Sequence, residues 1–173
     1  QVKPVFQPPG MIILQVIFWI SVFLIFYSYI LFPAYLQIRS RGKSLGGPVF
    51  GPDELPRVSV LIAAFNEEGS IEKKIRSTFG GDYPGDRLEV LVGSDASTDR
   101  TNGILTKLAA EESRLRLYLF EERSGKPEVI NRLVNESSGE ILVITDANVL
   151  LDKETLAGMV QYFKNTRVGL VDS

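Results

Sequence analysis

The chain has 173 residues, with 19 Lys and Arg against 21 Asp and Glu, a net charge of −2, and neither His nor Cys. Its length suits one ordinary domain, and its charge balance lacks the basic footprint of a nucleic-acid binder. Without His or Cys, any metal held here must be a hard, oxygen-loving cation such as Mg²⁺ or Mn²⁺.

The first third is not domain-like. No charge occurs between Lys3 and Arg39, and Met11–Phe32 is apolar apart from Gln15, two serines and two tyrosines. That run is long enough to cross a bilayer core, and too long for the apolar core of a cleaved signal peptide. The expected organisation is a short extracytoplasmic tail over 1–10, a transmembrane helix over 11–32, a juxtamembrane linker over 33–56 and an α/β domain over 57–173. Arg39, Arg41 and Lys43 follow the span and only Lys3 precedes it, so the positive-inside rule places the C-terminal domain in the cytosol, with a single pass of the cell membrane in this chain. Residues 57–173 carry 15 Lys and Arg against 19 Asp and Glu, a net of −4, whereas residues 1–56 carry 4 against 2. The basic residues therefore sit beside the membrane, where anionic headgroups favour them.

From Arg57 onward apolar runs alternate with helical patterns: Val58–Ala64 then Glu67–Phe79, Leu88–Gly93 then Thr98–Glu111, Leu115–Phe120 then Pro127–Asn135, Ile141–Thr145 then Lys153–Phe163. This βαβα series predicts a mostly parallel sheet with right-handed crossovers. Ile71, Ile75 and Phe79 recur at helical spacing. Asn66, Ser97 and Asp152 are candidate N-caps, and Pro127 suits a first helical turn. Ile141–Thr145 reads as a strand covered on both faces.

The strand ends carry the chemistry. The turn LIAAFNEEGS lacks the G-x-G-x-x-G of a dinucleotide-binding Rossmann fold, and Glu67 and Glu68 at the helix start would repel a pyrophosphate. GSDASTDRT places Asp95 after the second strand. ERSGKPEV offers Arg123 and Lys126 to a diphosphate without forming a P-loop. ILVITDANVLL places Asp146 and Asn148 where the fourth strand runs out. Singly, each is accounted for as a cap, a turn former or a solvated charge. In a parallel sheet, however, all these strand ends share one edge, so Glu67, Asp95, Lys126 and Asp146 are expected to converge on one crevice.

The ordered set VSVLIAAFNEE, SDASTDRT, SGKPEVIN and TDAN resembles the N-terminal, donor-binding half of a family 2 glycosyltransferase with the GT-A fold. The resemblance implies that Asp95 hydrogen-bonds the nucleotide base, that Glu67 lines the nucleotide pocket, that Lys126 belongs to the loop beside it, and that Asp146 lies at the sugar nucleotide and its Mg²⁺ or Mn²⁺. It implies inverting transfer of a sugar, from a UDP-sugar by preference, to a glycan, lipid or other hydroxyl acceptor in polysaccharide or glycan synthesis. Asn148 stands where the family's aspartate-any-aspartate motif has its last carboxylate; an amide oxygen coordinates without charge, so Asp146 and the diphosphate must do more of the holding. No carboxylate here matches the family's catalytic base, and the acceptor half is expected beyond Ser173. A membrane-tethered nucleotide-sugar-binding module without turnover is the alternative.

Overall fold

An uninterrupted apolar run must satisfy its own backbone, and this one does so as a helix. The computed structural model describes residues 9–41, 49–51 and 54–172, and the chain divides into two units, Gln1–Gly46 and Gly47–Ser173. Lys3, Lys43, most of the 1–10 tail and the linker stretch 42–48 lie outside the described residues. In the first unit, α1 (Pro9–Phe26) passes through a π-helical turn, Tyr27–Leu31, into α2 (Phe32–Ser40). Gly10–Ser40 forms 31 residues of helix, long and apolar enough to cross a membrane by length and composition. The span predicted to end at Phe32 thus continues as helix to Ser40. Pro33 does not break it, because the preceding turn widens: the Phe32 N–H bonds the Tyr27 carbonyl, five residues back. A loosened turn relieves the clash and the missing donor that proline imposes on a regular helix.

The second unit alternates as the apolar periodicity requires: β1 (Val58–Ala64), α3 (Ile71–Phe79), β2 (Leu88–Asp95), α4 (Thr101–Glu111), β3 (Leu115–Phe120), α5 (Lys126–Glu136), β4 (Ile141–Asp146) and α6 (Thr155–Gln161). The four strands form one parallel sheet in the order β3-β2-β1-β4, with Val60 opposite both Val90 and Val143. Side chains alternate across it. Val60, Ile62, Val90 and Val92 meet Ile71 and Ile75 of α3, Leu105 and Leu108 of α4, and Leu156 and Val160 of α6. On the other face Leu61 and Leu91 meet Val129, Ile130 and Leu133 of α5. The chain steps outward from β1 to β3 and then returns to the far side of β1; the reversal puts α5 on the opposite face and creates a switch point between β1 and β4.

Two expectations are corrected. β4 is not covered on both faces: it is the last strand in the order, α5 packs against β1 and β2, and Leu142 and Ile144 are 38% and 56% exposed. Nor do Asn66, Ser97 and Asp152 cap helices with their side chains. α3, α4 and α6 begin later, after Ser70, Arg100 and Glu154. The side chains of Asn66 and Ser97 instead tie neighbouring loops together, because two strand-end loops on adjacent strands lie closer to each other than to the helices that follow.

Candidate functional site

The parallel register brings the strand ends to one edge, with Ala63 opposite Asp146, Ala64 opposite Ser94 and Asp95 opposite Phe120. The loops after β1 and β2 are stitched into one platform. Asn66 Oδ1 accepts from the Thr98 N–H at 2.8 Å, the Glu67 N–H donates to Thr101 Oγ1 at 2.8 Å, and Glu68 Oε2 accepts from the Arg100 N–H and Nε at 3.1 Å. Asn66 tolerates the left-handed backbone it adopts at φ 55°, whereas Ala96, at φ 57° directly after Asp95, is a non-glycine residue held in that region.

Asp95 closes β2 and is only 4% exposed. Its Oδ1 accepts from the Ser124 N–H at 2.7 Å and the Ser124 hydroxyl at 3.3 Å, and its Oδ2 from the Gly125 N–H at 2.8 Å. Burial pushes its carboxyl up, but the N–H groups of Ser124 and Gly125, the Ser124 hydroxyl and the Arg123 charge outweigh burial and hold it below the usual range. By lone-pair count Oδ2 keeps one acceptor position. Gly125, at φ 86°, makes the turn into α5 that a side chain would strain. Gly93 lets α5 lie against β2, since a Cβ there would come within 2.4 Å of Val129 Cγ1. This close seating delivers Lys126 to the edge, where its ammonium donates to Asp146 Oδ1; the two side chains are 51% and 55% exposed. Arg123, the other cation of this loop, stacks 3.9 Å from the centre of the Phe65 ring.

Asp95, Lys126 and Asp146 are therefore linked through Ser124–Lys126. Glu67 shares the edge through its backbone, while its carboxylate accepts from Ser70 Oγ at 2.6 Å. Asn148 is exposed on the turn closed by the Val149 N–H donating to the Asp146 carbonyl at 3.3 Å. Among the described residues no group of three or more His, Cys, Asp or Glu gathers. The donor set of one carboxylate and one amide oxygen on a single exposed turn still fits Mg²⁺ or Mn²⁺ in the sparse mode in which phosphates and water complete the shell.

One residue at this edge went unmarked in the sequence. Lys74, on the buried face of α3, is 0% exposed and reaches Thr145 Oγ1 at 2.9 Å and the Val149 carbonyl at 2.5 Å. Burial pulls its ammonium down to about 8, opposed by the Asp146 carboxylate. Its signal was its place three residues after Ile71 and beside Ile75, on the stripe where apolar residues are expected.

The glycosyl transferase family 2 model matches residues 59–173. Beta-monoglucosyldiacylglycerol synthase of Nostoc sp. strain PCC 7120 is 31% identical over 168 residues, 94% of this chain and 35% of its own length. The structure of the mannosyltransferase PcManGT from Pyrobaculum calidifontis, in complex with GDP-Man and Mn²⁺, superposes with a TM-score of 0.72 at 33% identity, covering 87% of this chain and 44% of that one. TarS of S. aureus in complex with UDP-GlcNAc gives 0.55 at 30% identity, covering 59% of this chain and 29% of that one. The chain thus spans about a third of the curated relative it matches. By the ordered strand-end motifs, the parallel sheet that presents them and these matches, the chain belongs to glycosyltransferase family 2 and has the fold of its GT-A members.

Proposed function

We propose that this chain carries the donor-binding portion of a membrane-anchored glycosyltransferase, which moves a sugar from a nucleoside diphosphate to a hydroxyl of a lipid or glycan acceptor with inversion. The observation that carries this is the linkage of Asp95, Lys126 and Asp146 at the switch point of the sheet. The remaining acceptor position of Asp95 suits a base with a ring N–H donor, which uracil and guanine both present; UDP is preferred and GDP is its competitor. Glu67 lines the nucleotide pocket beside it. Lys126 offers positive charge to the diphosphate, and Asp146 and Asn148 offer their oxygens to a divalent cation that accompanies it. Mg²⁺ or Mn²⁺, when bound at Asp146 and Asn148, supplies a Lewis acid for the departing phosphate. In the transfer itself, the acceptor oxygen forms a bond to the anomeric carbon, the bond to the diphosphate breaks with its electron pair leaving on the nucleotide, and the acceptor proton passes to a carboxylate base. The helix Gly10–Ser40 anchors this chain in the cell membrane, with residues 57–173 on the cytosolic side, supported by its length, its apolarity and the basic residues Arg39 and Arg41 that end it.

Calorimetric titration of UDP and then GDP into the full chain in detergent, with Mn²⁺ and with chelator, tests the proposal. Metal-dependent binding that Asp95→Ala and Asp146→Ala both abolish is expected; binding unchanged in Asp146→Ala overturns the assignment.

A further inference from the structure

Among the described residues Lys74 heads the fully buried side chains by size. It shares the inward face of α3 with Ile71, Ile75 and Thr78. A buried ammonium is costly unless it is well partnered, and an apolar side chain on that face would carry no such cost. Nor is the head in water at the end of a buried stem, as snorkelling would have it. Its charge is spent on two acceptors, Thr145 Oγ1 and the Val149 carbonyl.

Those two acceptors stand on either side of Asp146, Ala147 and Asn148. The Val149 N–H closes the same segment onto the Asp146 carbonyl, and Ala147 at its centre is 3% exposed. Strand alternation turns Thr145 toward the α3 layer and Asp146 toward the α5 layer, where Lys126 meets it. One ammonium therefore grips both ends of the turn from behind and leaves its front free.

We propose that Lys74 is a positioning residue that holds the Asp146–Asn148 turn in the geometry required for ligation. This inference rests on the reading of Asp146 and Asn148 given above. The need for it follows from Asn148: with an uncharged oxygen in place of a second carboxylate, affinity depends more on where the two oxygens are held. A partner that orients a ligand without touching the ion commonly governs 10-fold to 100-fold of metal affinity, as an order of magnitude.

The test measures Mn²⁺-dependent UDP and GDP affinity by calorimetry, and amide exchange at residues 147–149, in the full chain in detergent. Lys74→Met and Thr145→Val are compared with Leu108→Ala, which removes core packing from α4 without touching the turn. Lys74→Met is expected to weaken nucleotide affinity by about 10- to 100-fold and to speed exchange at the turn. Thr145→Val is expected to do the same by about fivefold or less, and Leu108→Ala to lower only thermal stability. Wild-type affinity and exchange in Lys74→Met, or equal changes in Leu108→Ala, overturn the inference. Should Lys74→Met not fold, Thr145→Val against Leu108→Ala decides it in the same terms. Nucleotide binding by the wild type with both turn variants unmoved removes this inference alone, whereas no binding by the folded wild type removes the proposed function and this inference with it.

Discussion

At the amino end of the sheet Glu89 is turned inward, its side chain 18% exposed, and accepts from Ser59 Oγ at 2.5 Å, the Ser138 N–H at 2.7 Å, the Ser138 hydroxyl at 3.0 Å and Arg116 Nη1 at 3.4 Å. At the carboxyl end Asp146 stands 55% exposed and is paired with Lys126. Both carboxylates sit on strands of the same sheet and both have a cationic partner, yet their situations differ in kind. Glu89 is largely desolvated and accepts four hydrogen bonds, which close the junction of β1, β2 and the Ser137–Glu140 loop. Asp146 keeps its solvent-facing oxygens, and an exposed ion pair contributes little to stability. Folding therefore explains Glu89 and does not explain Asp146. Asp95 lies between these cases, buried like Glu89 yet placed at the edge beside Lys126.

The contrast breaks most readily at Asp146. Asp146→Ala is expected to abolish metal-dependent nucleotide binding while shifting stability by no more than about 0.5 kcal/mol, read by calorimetry and a thermal melt on the same sample. Glu89→Ala should do the reverse, costing about 1–3 kcal/mol in a denaturant titration and leaving nucleotide affinity alone, because it strands the buried Ser59 hydroxyl. Next comes Lys126→Met, for which affinity for the nucleoside diphosphate should fall about tenfold with Mn²⁺ present, with stability again nearly unchanged.

pH sharpens the same distinction. Burial pushes the Glu89 carboxyl up, but Ser59, Ser138 and Arg116 outweigh burial and hold it below its ordinary range. Between the folded value and the unfolded value of about 4.3 the unfolded chain binds more protons, so stability rises with pH there. The contribution of Glu89 is fully present above the unfolded value and is lost as pH falls through the folded one. Thermal melts from pH 7 down to pH 3 should thus show the gap between wild type and Glu89→Gln constant at first and narrowing at the acid end. The smallest effect is expected at Ala96, where Ala96→Gly relieves a left-handed backbone against the entropy glycine adds to the unfolded chain and raises stability by less than about 1 kcal/mol in the same titration.

Much of this was legible along the chain. Val58–Ala64 and Leu115–Phe120 have the boundaries their apolar runs predict, and Pro127 lies in the first turn of α5 as its missing donor permits. Lys74 was not legible, because a lysine on a helix is ordinarily solvated and only its burial beneath β4 distinguishes it. The service of Asn66 to Thr98, 32 residues away, was equally hidden, since a side-chain oxygen near a helix start is written the same way whether it caps that helix or a neighbouring loop.

The sequence by itself determined the alternation of strands and helices, the apolar helix ahead of them and the placing of Asp95, Lys126 and Asp146 at strand ends, because periodicity and turn chemistry are local and one parallel sheet has one carboxyl edge. Tertiary structure alone decided which carboxylate is desolvated and which is open, that β4 lies at an edge, and that Lys74 and Lys126 approach its end from opposite layers. Those outcomes depend on the strand order β3-β2-β1-β4 and on which residues distant in sequence come close enough to satisfy or desolvate a charge, and neither is written in any single segment.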